Sequence, residues 1–297
     1  MKIKFLALFL VISLNSFGTA QIPDRLIYKG DTLSLFATPL GLLPQRELLN
    51  TKSFFGGKGC FFSASWRNYI ATWSIENNKL YLISIRNTCY PTELKNVAGS
   101  FKAKSDSIGT EYADLKKLFK DKYINGKVLA DWVSDTVYAP KGKLLYYIHM
   151  GFESIYEKEL EFKIINGALV QVSELDNSKL KRSKYSENGE LQYQFLQSRI
   201  NYSKIPKSNK PIMVEIMLTN VNEKGKIVGA EVTWSQNEIF NKEALRVVKL
   251  IPVWDILYRH GKSASSQSTV RVFFYPIKPK PLEYQLPPKA SSNRKQS

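Results

Sequence analysis

Apolar and polar residues alternate along much of this chain, which is the pattern of β-strands that bury one face. Two long stretches, residues 63–75 and 79–87, are dense in aromatic and β-branched residues and are separated by an Asn77-Asn78 turn. Asn166-Gly167 marks another hairpin, because both residue types accept positive φ. Residues 22–175 are therefore predicted to form an antiparallel β-rich domain.

Two segments depart from this alternation. Residues 176–190 are polar, basic and without apolar periodicity, and are predicted to form a linker between two domains. A short amphipathic helix is predicted within residues 110–123, where apolar residues recur at helical spacing: Tyr112, Leu115, Leu118 and Phe119.

Residues 191–277 are predicted to form a smaller α+β domain, with a short helix, a hairpin, a second helix and a last strand. In each strand, alternation predicts one buried face. These faces consist of Val214, Ile216 and Leu218 in the first strand, Val228, Ala230, Val232 and Trp234 in the second, and Val270, Val272 and Phe274 in the last.

The second helix of this domain lies in the stretch NKEALRVVKLIPVW, which begins at Asn241. Asn241 can cap the helix, Glu243 in the first turn suits the helix dipole, and Pro252 cannot continue the helix. A hairpin alone is marginally stable, so the helix is predicted to cover its apolar face. The predicted structural core comprises Ala244, Leu245, Val248, Ile251, Pro252 and Trp254.

The two ends of the chain have their own composition. Residues 1–20 combine two lysines, a short apolar run and Gly18-Thr19-Ala20, which predicts a signal peptide cleaved after Ala20. The alternative is an uncleaved anchor, although a membrane span needs about 20 mostly apolar residues. A periplasmic or secreted protein without an integral membrane span is therefore expected. Residues 278–297 are rich in proline, lysine and serine and predict a disordered basic tail.

The chain is basic, with a formal net charge of +17 that falls to +15 once the two lysines of the signal peptide are removed. Its lysines and arginines are spread along the whole sequence, without an arginine-rich run or a nucleic-acid-binding motif. A solvated basic surface is therefore expected, and no nucleic-acid partner.

Cys60 and Cys89 are the two cysteines of the chain, and an even number in an oxidising compartment favours a disulfide. The hairpin register places Cys89 opposite Trp66, with Cys60 further out. A bridge would therefore need a bulge or a bent strand to bring the Cα atoms within about 7 Å. The pattern leaves both the bridge and two unpaired thiols open.

No pattern of catalytic, cofactor-binding or metal-binding residues is present. The two histidines, His149 and His260, lack the spacing of a zinc site, and there is no nucleophile elbow or phosphate-binding loop. His149 with Glu153 and Glu157 could be drawn as a cluster, but Gly151 interrupts the helix that their spacing would need. No enzymatic activity and no cofactor are predicted.

Aromatic residues make up 12% of the chain and leave a second function open. If exposed on a sheet face, they could stack on sugars, although most are expected in the core. The alternative is a cell-envelope carbohydrate-binding protein or hydrolase that acts through the first domain. Its candidate residues are Trp66, Trp73, Trp132, Tyr146 and Tyr147.

Residues 189–277 resemble the TonB C-terminal domain family in the order of elements and in the letters EALRVVKLIPVW. The resemblance implies an antiparallel sheet packed on one helix. It also implies a protein partner in the cell envelope of Gram-negative bacteria, such as an outer-membrane receptor, that adds a strand to the sheet edge. A homodimer through the same edges is a further expectation. The candidate contact residues are Val270, Arg271, Val272, Phe273, Phe274 and Tyr275.

The chain also departs from that family. Its transducers carry a membrane anchor and a long proline-rich spacer, whereas this chain has a predicted signal peptide and a predicted β-rich domain. The loop after the second helix, WDILYRHGKSASSQSTV, lacks the prolines that are usual there. A non-catalytic exported binding protein is therefore expected, and a membrane-anchored energy transducer is the alternative if the signal is not cleaved.

Overall fold

The computed structural model describes residues 19–60, 63–90, 108–264 and 268–276. The protein is mainly β, with antiparallel sheets and few helices, which confirms this part of the expected fold class. It divides into two compact units, unit 1 with residues 1–180 and 258–262, and unit 2 with residues 181–257 and 263–297. The apolar part of the predicted signal peptide and the predicted tail lie outside the described residues.

Unit 1 is built on a sheet of nine described strands in the order β2-β1-β3-β4-β9-β8-β7, with β6 pairing to β4 and β5. Neighbouring strands run antiparallel, except that β1 pairs with β3 in parallel. The strands are β1 Asp24–Tyr28, β2 Asp31–Leu35, β3 Tyr69–Glu76, β4 Lys79–Asn87, β5 Tyr123–Ile124, β6 Lys127–Leu129, β7 Asp135–Tyr146, β8 Ile155–Ile165 and β9 Ala168–Asp176. Two short helices accompany them, α1 Thr51–Phe55 and α2 Leu115–Phe119.

The hairpins predicted at Asn77-Asn78 and Asn166-Gly167 are confirmed. All four turn residues have positive φ, as tight hairpin turns require. These hairpins bring one apolar face of the sheet into a core that includes Trp73 and Phe162, both fully buried.

The helix predicted within residues 110–123 is shorter than expected. It covers only Leu115–Phe119, because the side chain of Asp114 accepts a hydrogen bond from the Lys117 amide and starts the helix there. Tyr112 lies outside it, is exposed, and forms an isolated bridge with Arg86. Helical spacing of four apolar residues was therefore not enough to extend the helix across an acidic cap.

Cys60 and Cys89 form a disulfide, with their Cα atoms 5.7 Å apart. The strand pairing shifts register between Thr72 and Trp73, so the simple register does not hold at this end of the hairpin. The chain before β3 also folds back, because Asn68 has a positive φ and its side chain accepts the Cys60 amide. The bend and the bulge together meet the geometric requirement of the bridge.

Replacing both cysteines by alanine is expected to lower the free energy of unfolding of unit 1. The bridge spans 29 residues, and the chain-entropy cost of a loop of this size is about 3–4 kcal/mol. Urea unfolding with and without dithiothreitol checks this. The reductant should destabilise the native protein and leave the double alanine variant unchanged, and an equal response of the two proteins would contradict the prediction.

Unit 2 contains a three-stranded sheet in the order β11-β10-β14. Its elements are α3 Lys184–Glu187, α4 Gly189–Arg199, β10 Ile212–Val221, β11 Ile227–Ser235, α5 Asn241–Val248 and β14 Ser268–Phe274. Between α5 and β14 the chain forms a small two-stranded sheet of β12 Leu257–Arg259 and β13 Lys262–Ala264.

The core of unit 2 is close to the predicted one. Ala244, Val248, Ile251 and Trp254 are buried against the sheet, and Leu245 is partly buried beside them. Pro252 is exposed, so its prediction as a core residue is wrong, because it follows the end of the helix and faces solvent. Val247, which was not predicted, is fully buried in its place.

The start of α5 also differs from the prediction. Asn241 is the first helical residue and does not cap the helix. The preceding 3-10 turn, Glu238–Phe240, begins at Asn237, whose side chain accepts the Ile239 amide. The cap therefore lies one turn earlier than the sequence indicated.

The predicted common face of β11 is broken. Ala230 and Val232 pack against the core, but Val228 and Trp234 are exposed. The pairing of β10 with β11 shifts register three times, and each extra residue turns the following side chains to the other face. Bulges of this kind leave no mark in a simple alternating pattern.

The segment 176–190, predicted to be a linker, is folded over much of its length. It contains α3, and Tyr185 is buried in the core of unit 2. The side chain of Ser183 accepts the Tyr185 amide, and the Ser183 amide donates to the buried carboxylate of Asp255. A single large apolar residue among polar ones produced no periodicity that could have predicted this.

A buried carboxylate joins the two longer helices of unit 2. Glu243 accepts hydrogen bonds from Arg246 and from the Asn201 amide, which follows α4. Burial raises the pKa of Glu243, but the hydrogen bonds from Arg246 and Asn201 outweigh it, so the pKa lies below its ordinary value. Arg246 also donates to the carbonyl of Arg199.

Replacing Glu243 by Gln is expected to lower the free energy of unfolding by about 1–3 kcal/mol. Because the folded-state pKa is depressed, this stabilisation is present above the ordinary pKa of 4.5 and is lost as the pH falls through the folded-state value. Urea unfolding of the two proteins between neutral and acid pH should show a difference that shrinks in acid.

The matched control is Glu231→Gln, which changes an exposed carboxylate of β11. It is expected to alter the free energy of unfolding by less than about 0.5 kcal/mol. A stability difference for Glu243→Gln that stays constant down to strong acid would contradict the assigned role.

Candidate functional site

The candidate site is the edge formed by β14, the last strand of the unit 2 sheet. Among the described strands, β14 pairs only with β10, over seven consecutive residue pairs without a register shift. β11, at the other side, pairs with β10 through three shifts. Since bulges protect a sheet edge from further pairing, β14 is the more regular template for an added strand.

Of the six residues predicted to contact a partner, five lie on β14 and divide between its two faces. Val270, Val272 and Phe274 are buried in the core of unit 2. Arg271 is exposed and Phe273 is half-buried on the other face, because alternate residues of a strand face opposite sides. Tyr275 follows the end of β14 and is half-buried, with its hydroxyl 3.3 Å from that of Tyr193 on α4. Arg271 and Phe273 are therefore the side chains of this strand that a partner can reach.

Backbone direction along β14 follows from its neighbour. The amide of Gln236 donates to the carbonyl of Met213, so the backbone groups of Met213 face β11. Backbone groups of successive residues point to alternate sides, so those of Val214 face β14. They form hydrogen bonds with the backbone groups of Val272, which lies directly opposite Val214. The amide and carbonyl groups of Arg271, one residue along, therefore point away from the sheet.

Some of the backbone groups that point away from the sheet already form hydrogen bonds within unit 2. The side-chain amide of Gln197 donates to the carbonyl of Phe273 at 2.7 Å, and the Tyr275 amide donates to the hydroxyl of Tyr202 at 3.4 Å. The Tyr193 hydroxyl donates to that of Tyr275. Burial raises the pKa of both Tyr193 and Tyr202, so these hydroxyls stay protonated at neutral pH.

The open edge is therefore shorter than the predicted one. Within the described residues, the outward backbone groups of Thr269 and Arg271 and the amide of Phe273 have no partner from unit 2. We call the stretch Thr269–Phe273 the open edge. The sequence did not indicate where the open edge ends, because Gln197 and Tyr202 contact this part of the chain only once unit 2 is folded.

The face of the sheet opposite the helices adds side chains to this edge. Arg271 pairs with Glu215 on β10 at 3.0 Å, and its side chain is 61% exposed. An exposed pair of this kind contributes little stability. Met213 lies directly across from Phe273, and Trp234 lies opposite Glu215 and is 47% exposed. A strand added at the open edge would place alternate side chains on this partly apolar face.

The other candidate groups are not brought together. The ring of His149 lies 2.8 Å from the Tyr147 hydroxyl, Glu153 pairs with Arg259, and Glu157 accepts the Lys143 amide. Among the described residues, no three side chains of the types that bind metals form a cluster.

Cys60 cannot act as a free nucleophile, because its sulfur is bonded to that of Cys89.

The part of the chain that the structure describes contains no helix with the length and apolarity to cross a membrane.

The five aromatic residues considered for sugar stacking lie in different environments. Trp73 is fully buried in the core, whereas Trp66 is 76% exposed. Tyr147 is exposed and Tyr146 is half-buried. Trp132 is half-buried and lines a groove of unit 1. These positions do not form one aromatic platform.

Unit 1 also contains a histidine–carboxylate pair that sequence reasoning did not identify. His260 Nδ1 lies 2.8 Å from the buried carboxylate of Glu159, and its ring stacks on Tyr138 at 3.8 Å. Glu159 also accepts the His260 amide, and Asn177 accepts the Gly261 amide. The pair thus holds a tight turn in which both turn residues have positive φ. The dipeptide His260-Gly261 could have indicated this turn.

Comparisons of this chain with protein-family models, curated proteins and solved structures found no match.

Two proline substitutions test the backbone directions of β14. Arg271→Pro removes an amide that points away from the sheet, whereas Val272→Pro removes one that bonds to β10. Val272→Pro is expected to be more destabilising by about 2–3 kcal/mol, since it breaks a ladder hydrogen bond inside the core. Urea unfolding measures the difference, and equal losses would show that the assigned directions are wrong.

Proposed function

We propose that this chain is a non-catalytic, exported cell-envelope protein whose unit 2 is a TonB-like domain that binds a protein partner. The partner contributes an extended segment that pairs with the open edge, Thr269–Phe273. Binding of this kind needs unpaired backbone groups along a strand and side-chain contacts at alternate positions.

The observation that carries the proposal is the regular backbone of the open edge, whose outward groups have no partner among the described residues. β14 keeps a continuous register with β10, so its outward groups are evenly placed for another strand. The closed end, where Gln197 and Tyr202 occupy the backbone, sets how far a partner strand can extend. A partner segment of about three to five residues fits this length.

The resemblance of residues 189–277 to the TonB C-terminal domain supports the same assignment. Unit 2 has a helix, a hairpin, a second helix and a last strand in the order that the resemblance implies. An outer-membrane receptor is the partner class that it suggests. The predicted signal peptide supports export, and no membrane anchor is needed for the binding role.

A second copy of this chain is the other occupant of the edge that we consider. Two open edges could pair antiparallel about a two-fold axis and form a homodimer. Arg271 would then lie near its own copy, where like charges repel unless Glu215 neutralises them. A separate protein partner is therefore preferred.

The test places a photo-crosslinking residue at Thr269, which is exposed on the open edge. In cells of the native organism, we expect a crosslinked species of higher mass. Arg271→Pro should abolish it by removing an outward amide, whereas Arg271→Ala should preserve it, because the alanine variant keeps the backbone donor. Equal crosslinking in both variants would contradict strand addition.

A crosslinker at Lys242, on the exposed side of α5, is the matched control and should give no such species. Mass spectrometry of the crosslinked band distinguishes a second copy of this chain from another protein. No crosslinking at Thr269 at all would contradict a partner at this edge.

A further inference from the structure

Unit 1 has a groove that the proposed function does not use. It lies between the residues that follow α2 and those around α1, and its volume is about 740 Å³. This is within the range of sites that hold one small molecule. Its lining combines lysines with apolar and aromatic side chains.

The charge of the groove is strongly positive. Lys52, Lys117 and Lys120 line it, all three are exposed, and none has an ion-pair partner among the described residues. Lys122 also lines it and pairs with Asp131, and Asp121 is the acidic residue of the lining. By contrast, Lys141 and Lys158 elsewhere in unit 1 share one carboxylate, that of Glu174.

The apolar part of the lining includes a stacked pair of aromatic rings. The rings of Phe119 and Trp132 are stacked, with their centroids 5.7 Å apart and an angle of 10° between their planes. Trp132 donates its indole N–H to the carbonyl of Pro39, which fixes the ring in place. Leu43, Leu48 and Leu118 extend the apolar surface.

Helix ends account for only part of the lysine cluster. Lys52 and Lys117 lie in the last turns of α1 and α2, where cations are favoured. Lys120 lies beyond α2 with a φ of 48° and a ψ of −117°, a conformation that a residue with a β-carbon rarely adopts. Glycine would fit that backbone better, and it would not add a positive charge to the groove.

We propose that the groove binds a small amphiphilic anion, a molecule with a flat apolar body and one phosphate or carboxylate group. The lysines neutralise the acid group, and Phe119 and Trp132 cover the apolar body. A neutral sugar fits less well, because among the described residues of the lining only Gln45 and Ser53 offer uncharged polar side chains for its hydroxyl groups.

Isothermal titration calorimetry of the full chain with 2-naphthyl phosphate tests the proposal. We expect it to bind at least ten-fold more tightly than inorganic phosphate or 2-naphthol, because each of these has only one of the two features. The double variant Lys117→Gln/Lys120→Gln should weaken binding at least ten-fold. Phe119→Leu should also weaken it, since the ring stack is lost while an apolar side chain remains.

The matched control is Lys79→Gln/Lys163→Gln, which removes two exposed lysines on β4 and β8 of the same unit. It should change the affinity less than two-fold, and circular dichroism checks that all variants are folded. If both double variants weaken binding equally, the affinity depends only on the net charge of the protein, and the proposal is overturned. So would tight binding of inorganic phosphate alone.

A membrane surface is the other occupant that the test must exclude. Vesicles containing anionic phospholipid are titrated in parallel. If the groove lysines are needed to bind these vesicles while 2-naphthyl phosphate does not bind, the proposed small-molecule occupant is wrong. None of these results depends on the open edge of β14, so each proposal can fail without the other.

Discussion

A β-strand directs its backbone groups alternately to its two sides, so a strand with one neighbour leaves half of them unpaired. Unit 2 depends on how this constraint is met at β14. One row of groups pairs with β10 in a continuous register, and the core side chains of β14 follow from that register. In the other row, Gln197 and Tyr202 occupy the groups at one end, and those between Thr269 and Phe273 have no partner within the described part of unit 2.

Polar groups buried in unit 2 determine where its helices lie. Glu243 is held by Arg246 and by the Asn201 amide, so that the start of α5 is tied to the end of α4. Asp255 accepts the Ser183 amide and ties the segment before α4 to the residues after α5. A buried carboxylate is costly unless it is fully hydrogen-bonded, and these contacts therefore allow few other arrangements. The helices in turn place Gln197 beside β14.

In unit 1, the buried charged groups and the exposed lysines of the groove have different roles. The buried carboxylate of Asp24 accepts bonds from Arg67 and Trp73, and burial raises its pKa. The disulfide lies near the end of the hairpin of β3 and β4, which contains Trp73. Lys52, Lys117 and Lys120 of the groove have no ion-pair partner among the described residues, so their charge is available to a ligand. The proposed amphiphilic anion uses this unpaired charge, whereas the proposed protein partner uses unpaired backbone groups.

The sequence by itself determined the mainly β character, the hairpin turns and most of the buried faces, because these follow from local periodicity and from residues that accept positive φ. Val214, Ile216 and Leu218 could be assigned to the core in this way. Only the tertiary structure decided the bulges that expose Val228 and Trp234, the burial of Tyr185 and the pairing of Cys60 with Cys89. It also decided the length of the open edge and the position of the lysine groove. The reason is that these features depend on contacts between residues far apart in the chain, which leave no periodic signal in it.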